Sequence, residues 1–128
     1  MTGGLADTSI FIAREDGRPL DESVIPDELA ISVITVGELC AGVLAAPDLH
    51  TRDTRLRTLT AVLALDSIPV DNPVADARAH LRILLREAGQ KMPVNDSWIA
   101  ATAIALGVPV VTQDTAYDLV PDLEVILV

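Results

Sequence analysis

Short runs of Val, Ile, Leu and Ala alternate with amphipathic stretches along this chain, and the alternation predicts strands and helices in turn. Leu5 and Ala6 predict a short buried strand ending at Asp7, weakened at its start by Gly3 and Gly4. A helix through Ile10-Phe11-Ile12-Ala13 follows, with Thr8 or Ser9 as its cap. Residues 14–29 are charged and hold Gly17, Pro19 and Pro26, so a loop with one helical turn is expected. Ala30 to Ile34 reads as a second buried strand. Thr35 then caps a helix, with Glu38 three residues on in a capping-box arrangement, and Pro47 stops that helix. Asp48 opens a longer helix whose apolar face is Leu56, Leu59, Val62 and Leu63.

Ser67 to Val70 predicts a third strand, and Pro73 to Ala88 a helix closed by Gly89, with Arg78, Arg82 and Arg86 on one face. The next helix opens on Asn95, Asp96 and Ser97 and stops at Gly107; its small apolar side chains predict burial on several sides. Val108 to Thr112 reads as a fourth strand, Tyr117 to Val120 as a helical turn, and Glu124 to Val128 as a last strand. Continuous Val/Ile runs between helices predict an α/β fold with a mostly parallel sheet. No internal repeat, linker or low-complexity segment interrupts it.

With 128 residues the chain is expected to form one domain, 1–128, with a real core. Aromatics make up 2%, so that core must be aliphatic. No apolar run reaches the roughly 18 residues of a membrane span. No basic-then-apolar leader opens the chain, and the single cysteine, Cys40, cannot form an internal disulfide. A cytoplasmic location, with no membrane partner, is the simplest expectation. A net charge of −10 argues against nucleic-acid binding through a general basic surface.

The acids change the picture. Asp7 and Asp114 each follow a buried strand, Asp96 opens a buried helix, and Glu38 lies in the first turn after the second strand. The carboxyl ends of parallel strands share one edge, where ligands bind, so these four are expected to gather. Clustered carboxylates repel unless a cation intervenes or protons are retained, and Mg²⁺ or Mn²⁺ suits such oxygen donors. A metal there can activate water and stabilise charge on a phosphoryl group. Each acid alone has a plainer explanation: a capping box for Glu38, strand-end turns for Asp7 and Asp114, a helix cap for Asp96.

Taken in order, Asp7-Thr8-Ser9, Ser32-x-x-Thr35-x-x-Glu38-Leu39, Asn95-Asp96-x-x-Ile99-Ala100-Ala101-x-Ala103 and Val111-Thr112-Gln113-Asp114 resemble the PIN-domain family. Within it the chain is most similar to the VapC toxins of bacterial toxin–antitoxin pairs. The resemblance implies a three-layer α/β/α fold around a mostly parallel sheet of four to five strands. It implies an endoribonuclease dependent on Mg²⁺, with Mn²⁺ as a substitute, usually a homodimer. A cognate VapB-type antitoxin wraps such a toxin and plugs its acidic pocket, and operator DNA is reached only through that antitoxin. Carried over by motif, Asp7 and Asp96 are the principal metal ligands and Glu38 and Asp114 complete the catalytic acids. Thr112, with Thr8 or Ser9, supplies hydroxyls that hold those ligands. After the fourth acid the chain reads Thr115-Ala116-Tyr117-Asp118, where the family often has further acids or aromatics, so the place of Asp118 stays open.

Arg52, Arg55 and Arg57, with Arg78, Arg82 and Arg86, form either an RNA-facing rim or a solvated surface. Arg86 and Lys91, just upstream of Asp96, are the preferred RNA contacts. Trp98 reads as core or rim packing before base stacking, His50 and His80 as surface residues, and Cys40 as buried. The helices from Thr35 to Leu65 are the expected dimer and antitoxin surfaces. A phospho-accepting receiver domain needs a lysine after a late strand, but the only lysine precedes the Asp96 helix. The remaining alternative is a catalytically silent PIN-like protein that binds an antitoxin and helps it hold operator DNA.

Overall fold

Successive side chains of a strand point to opposite faces, and here each face has its own helical layer. In the computed structural model, which describes residues 3–128, the first strand is β1 (Gly3–Ala6). Met1 and Thr2, part of the expected domain, lie outside the described residues. Leu5 and its partner Val110 point toward α4 (Asn72–Glu87) and α5 (Val94–Leu106), in a core with Leu81, Leu85, Ile99 and Tyr117. Ala6 and its partner Val111 point the other way, toward α1 (Thr8–Asp16), α2 (Val33–Leu44) and α3 (Leu49–Val62). Ile10, Phe11, Leu39, Leu59 and Val62 close that second core. The result is a three-layer α/β/α fold.

The sheet has five parallel strands in the order β3-β2-β1-β4-β5, with β2 at Glu28–Ser32, β3 at Asp66–Ile68, β4 at Val110–Thr112 and β5 at Val125–Leu127. From β1 the chain runs outward to β2 and β3, then returns to lay β4 on the other side of β1. The strand order therefore reverses between β1 and β4, and loops leaving those two strands diverge to leave a crevice. Asp7 and Asp114 lie in those two loops. No helix among the described residues is long and apolar enough to cross a membrane.

Several helix starts differ from expectation. Asp7 itself caps α1, accepting from the Ser9 amide, so Thr8 and Ser9 lie inside the first turn. The helix continues to Asp16, past the point where charge suggested a loop. Ser32, not Thr35, caps α2, accepting from the Ile34 amide; the strand ends two residues early and Thr35 is fully buried. With the cap moved, the capping-box explanation of Glu38 no longer applies. The helix α5 starts at Val94 behind Pro93 and has no side-chain cap, so Asp96 lies in its first turn without capping it. Leu56 and Leu63 are largely exposed, and only Leu59 and Val62 of that predicted face are buried. Cys40 is half-buried rather than enclosed.

The glycine pair that weakened the first strand has a packing reason at Gly4. A β-carbon there would lie 3.0 Å from Val111 Cγ2 and 3.1 Å from Pro26 Cγ. A side chain there requires Val111 and Pro26 to give way by a few tenths of an ångström, so glycine suits this close approach of the central strand. Gly4→Val is expected to lower stability by about 1–3 kcal/mol through overpacking, read as a lower urea midpoint with an unchanged m-value.

Candidate active site

Asp7 is the buried floor of the crevice, 3% exposed, and its backbone amide is tied to the Val111 carbonyl at 2.9 Å. A carboxylate this deep must be met by donors, because burying unpaired charge is costly. Three donors meet it. Tyr117 donates its hydroxyl to Oδ1 at 2.8 Å, Thr112 donates to Oδ2 at 2.9 Å, and the Ser9 amide reaches Oδ2 at 3.4 Å.

The Thr112 hydroxyl has one hydrogen, and Asp7 takes it. Ser9 therefore donates to Thr112 Oγ1 at 3.2 Å, and the Gln113 amide donates in turn to Ser9 Oγ at 3.0 Å. The Asp114 amide also donates to Thr112 Oγ1, at 2.9 Å. On the neighbouring side Thr8 donates to Glu38 Oε1 at 2.8 Å, so the buried Thr35 hydroxyl donates to Thr8 at 2.9 Å. Adjacent residues of one helical turn thus face two ways. Thr8 holds Glu38 of α2, and Ser9 holds the end of β4. No buried side-chain polar atom among the described residues lacks a partner.

Asp96 approaches from the first turn of α5, with its Oδ1 3.5 Å from the same Tyr117 hydroxyl that serves Asp7. Burial first, and then the charges of Asp7, Asp114 and Glu38, push its carboxyl up to about 6. Burial and the charges of Asp7 and Asp96 raise the Tyr117 phenol far above its ordinary value, so it stays a hydroxyl and a donor. Asp114 caps the 3₁₀ turn Thr115–Leu119, accepting from the Ala116 amide at 2.9 Å. Its remaining oxygen has no such duty. Asp118, on the same turn, is exposed.

The four predicted acids therefore act on one another at one edge of the sheet, and Thr8, Ser9 and Thr112 are threaded between them. None of the four pairs with an Arg, Lys or His: the ion pairs among the described residues are Arg14–Glu22, Arg18–Asp16, Arg57–Asp53 and His80–Asp76. Like charges without a protein cation, in a set of hard oxygen donors, fit a hydrated divalent ion. Among the described residues no three of the acids come together closely enough to hold a metal ion between them. Mg²⁺ keeps several waters and needs only one or two carboxylates, so an open arrangement suits it better than a cage does.

Tyr117 is the residue that sequence reasoning missed. It is fully buried and touches two of the acids, whereas the sequence places it in a short helical turn and in the stretch after the fourth acid without giving it a role. The available signal was a lone phenol three residues after Asp114, in a chain with one tyrosine. Arg86 and Lys91 are exposed and bond none of the acids among the described residues. Trp98 is half-buried, with the Arg78 guanidinium 4.8 Å from its ring centroid.

Comparison with known proteins matches residues 5–123 to the model of the PIN domain. Ribonuclease VapC5 of Mycobacterium tuberculosis is 50% identical over 111 residues, covering 87% of this chain and 82% of that one. Ribonuclease VapC4 of the same organism is 42% identical over 124 residues, covering 97% and 95%. The crystal structure of VapBC-5, a member of the VapBC family of toxin–antitoxin systems from M. tuberculosis, superposes with a TM-score of 0.93 at 42% identity, over the whole of both chains. The chain belongs to the PIN-domain family, in the branch that holds the VapC ribonucleases.

Proposed function

We propose that this chain is a metal-dependent endoribonuclease, the toxin of a toxin–antitoxin pair. The observation that carries the reading is the set of four acids at the strand-order reversal, held by hydroxyls and backbone amides and, among the described residues, in no ion pair. Relatives at 50% and 42% identity that bear the name ribonuclease support the choice of RNA. Asp7 and Asp96 would hold Mg²⁺ or Mn²⁺, with Glu38 and Asp114 joining directly or through water. When bound, the metal supplies positive charge for a phosphodiester oxygen and a more acidic water for in-line attack.

The chain's own residues do the rest. Tyr117 and Thr112 fix both oxygens of Asp7, so its carboxylate cannot turn away from the cleft. Thr8 aims Glu38, and Ser9 keeps Thr112 donating toward Asp7. Asp114 uses one oxygen as a cap, accepting from the Ala116 amide. Exposed Arg86 and Lys91 would hold the RNA backbone. Partners would be an antitoxin of the VapB type, a second copy of the chain, and operator DNA through the antitoxin alone. Leu44 and Leu49, 78% and 82% exposed at the junction of α2 and α3, are apolar side chains that suit such protein contacts.

The first test is cleavage of total RNA by the antitoxin-free chain with Mg²⁺ or Mn²⁺. Wild type should yield discrete products, while Asp7→Asn and Asp96→Asn should yield none. A folded wild type inert on every RNA class would move the silent binding-partner reading ahead. Tyr117→Phe strips a donor from buried Asp7, and an activity loss of about 10–100-fold is expected in initial-rate assays.

The raised Asp96 carboxyl sets a pH signature. Its folded-state value of about 6 lies above the ordinary 3.8, so the folded chain binds more protons between them and loses stability as pH rises. In metal-free buffer, Asp96→Asn should therefore gain in melting temperature over wild type from about pH 4 to pH 6. Millimolar Mg²⁺ should shrink that gap by stabilising wild type alone. A gap independent of both pH and Mg²⁺ would count against a metal held by Asp96.

A further inference from the structure

In a chain of net charge −10, one surface gathers cations that form no ion pair among the described residues. Arg14, Arg18 and Arg57 are ion-paired, and Arg55 is bound to the Gly42 carbonyl at 2.7 Å. Arg78, Arg82 and Arg86 on α4, and Lys91 just beyond it, form no ion pair among the described residues. The three arginines recur every four residues, on one face and about 6 Å apart along the axis. They line a shallow groove of about 410 Å³ together with Ala75, Ala79, Ile83 and Trp98.

The groove is built rather than incidental. Arg78 is half-buried, its guanidinium lies over the Trp98 ring, and its Nε donates to Ser97 Oγ at 3.3 Å. Ser97 is itself fixed by donating to the Val94 carbonyl. A guanidinium held over an indole is a flat cationic platform, the surface on which unpaired bases stack. Exposed Arg82 and Arg86 beside it suit successive phosphates. Ser97 and Trp98 lie one and two residues past Asp96 on α5, about 100° and 200° around the helix from it, so a strand leaving the acids reaches the groove by crossing the N-terminal end of α5.

We infer that this groove is the path of the single-stranded RNA beyond the cut, with its backbone on Arg82 and Arg86 and a base on the Arg78–Trp98 platform. The inference rests on the ribonuclease reading and extends it from the acids to the strand they cut. It also answers the charge problem: a small basic track, not a basic surface, offsets the repulsion of an acidic protein. These residues position the strand and take no part in the chemistry.

Trp98 is the only tryptophan, so its fluorescence reports on this groove alone. The test uses antitoxin-free Asp7→Asn, which spares the RNA, titrated with a single-stranded RNA oligonucleotide at several salt concentrations. Binding should quench Trp98. Adding Arg82→Glu and Arg86→Glu should weaken binding at least tenfold and reduce the log–log salt slope by about 0.7 for each cation lost. Quenching without any change in affinity or slope would overturn the track while leaving the ribonuclease reading intact. RNA that fails to bind at all, in a protein that also cuts none, would overturn both. Loss of antitoxin binding with RNA affinity unchanged would assign the groove to a protein partner and overturn the inference.

Discussion

A carboxylate at the bottom of a protein, without a cation of the protein's own, is the constraint on which this structure turns. Asp7 is held by the phenol of Tyr117 and the hydroxyl of Thr112, which lie 110 and 105 residues away. Those bonds demand that β1 lie beside β4, that the 3₁₀ turn after β4 fold back over it, and that Ser9 face the same strand. Packing supplies the driving force, because aliphatic cores on both faces of the sheet exclude water. The hydrogen-bonded acid supplies the specificity. A sheet in another register would bury Asp7 with nothing to receive it.

The same constraint explains the small residues around it. Gly4 lets the central strand approach Val111 and Pro26, and the alanines at 100, 101 and 103 let α5 settle against the sheet. That closeness brings Asp96 within reach of a hydroxyl already serving Asp7. Repulsion between the two is therefore a result of good packing. It is tolerated because the Tyr117 hydroxyl donates to Asp7 and lies 3.5 Å from Asp96.

The order of elements was legible because it follows from patterns of apolar residues, and the grouping of the acids followed from where parallel strands end. Local starts were less legible. Ser32 and Thr35 are both good caps, and only the burial of Thr35 against Thr8 decides which one acts. Asp7 looked like a residue before a cap, and is the cap. Asp96 looked like a cap, and is not one. Tyr117 escaped notice for a related reason: its meaning lies in contacts spanning most of the chain, and a phenol in a short turn carries no local signal of them. The cationic groove was visible only in part, since spacing gives the arginine face but not the indole beneath Arg78.

The parallel order of the strands also sets a schedule for synthesis. Asp7 leaves the ribosome more than a hundred residues before Thr112, Asp114 and Tyr117. Until then β1 has no β4, and the first acid has none of its long-range donors. A nascent or prematurely terminated chain holds the early acids without the frame that aligns them. Only when β4 and the turn after it have emerged does the buried acid gain the donors that hold it, so an unfinished copy carries no ordered acidic site.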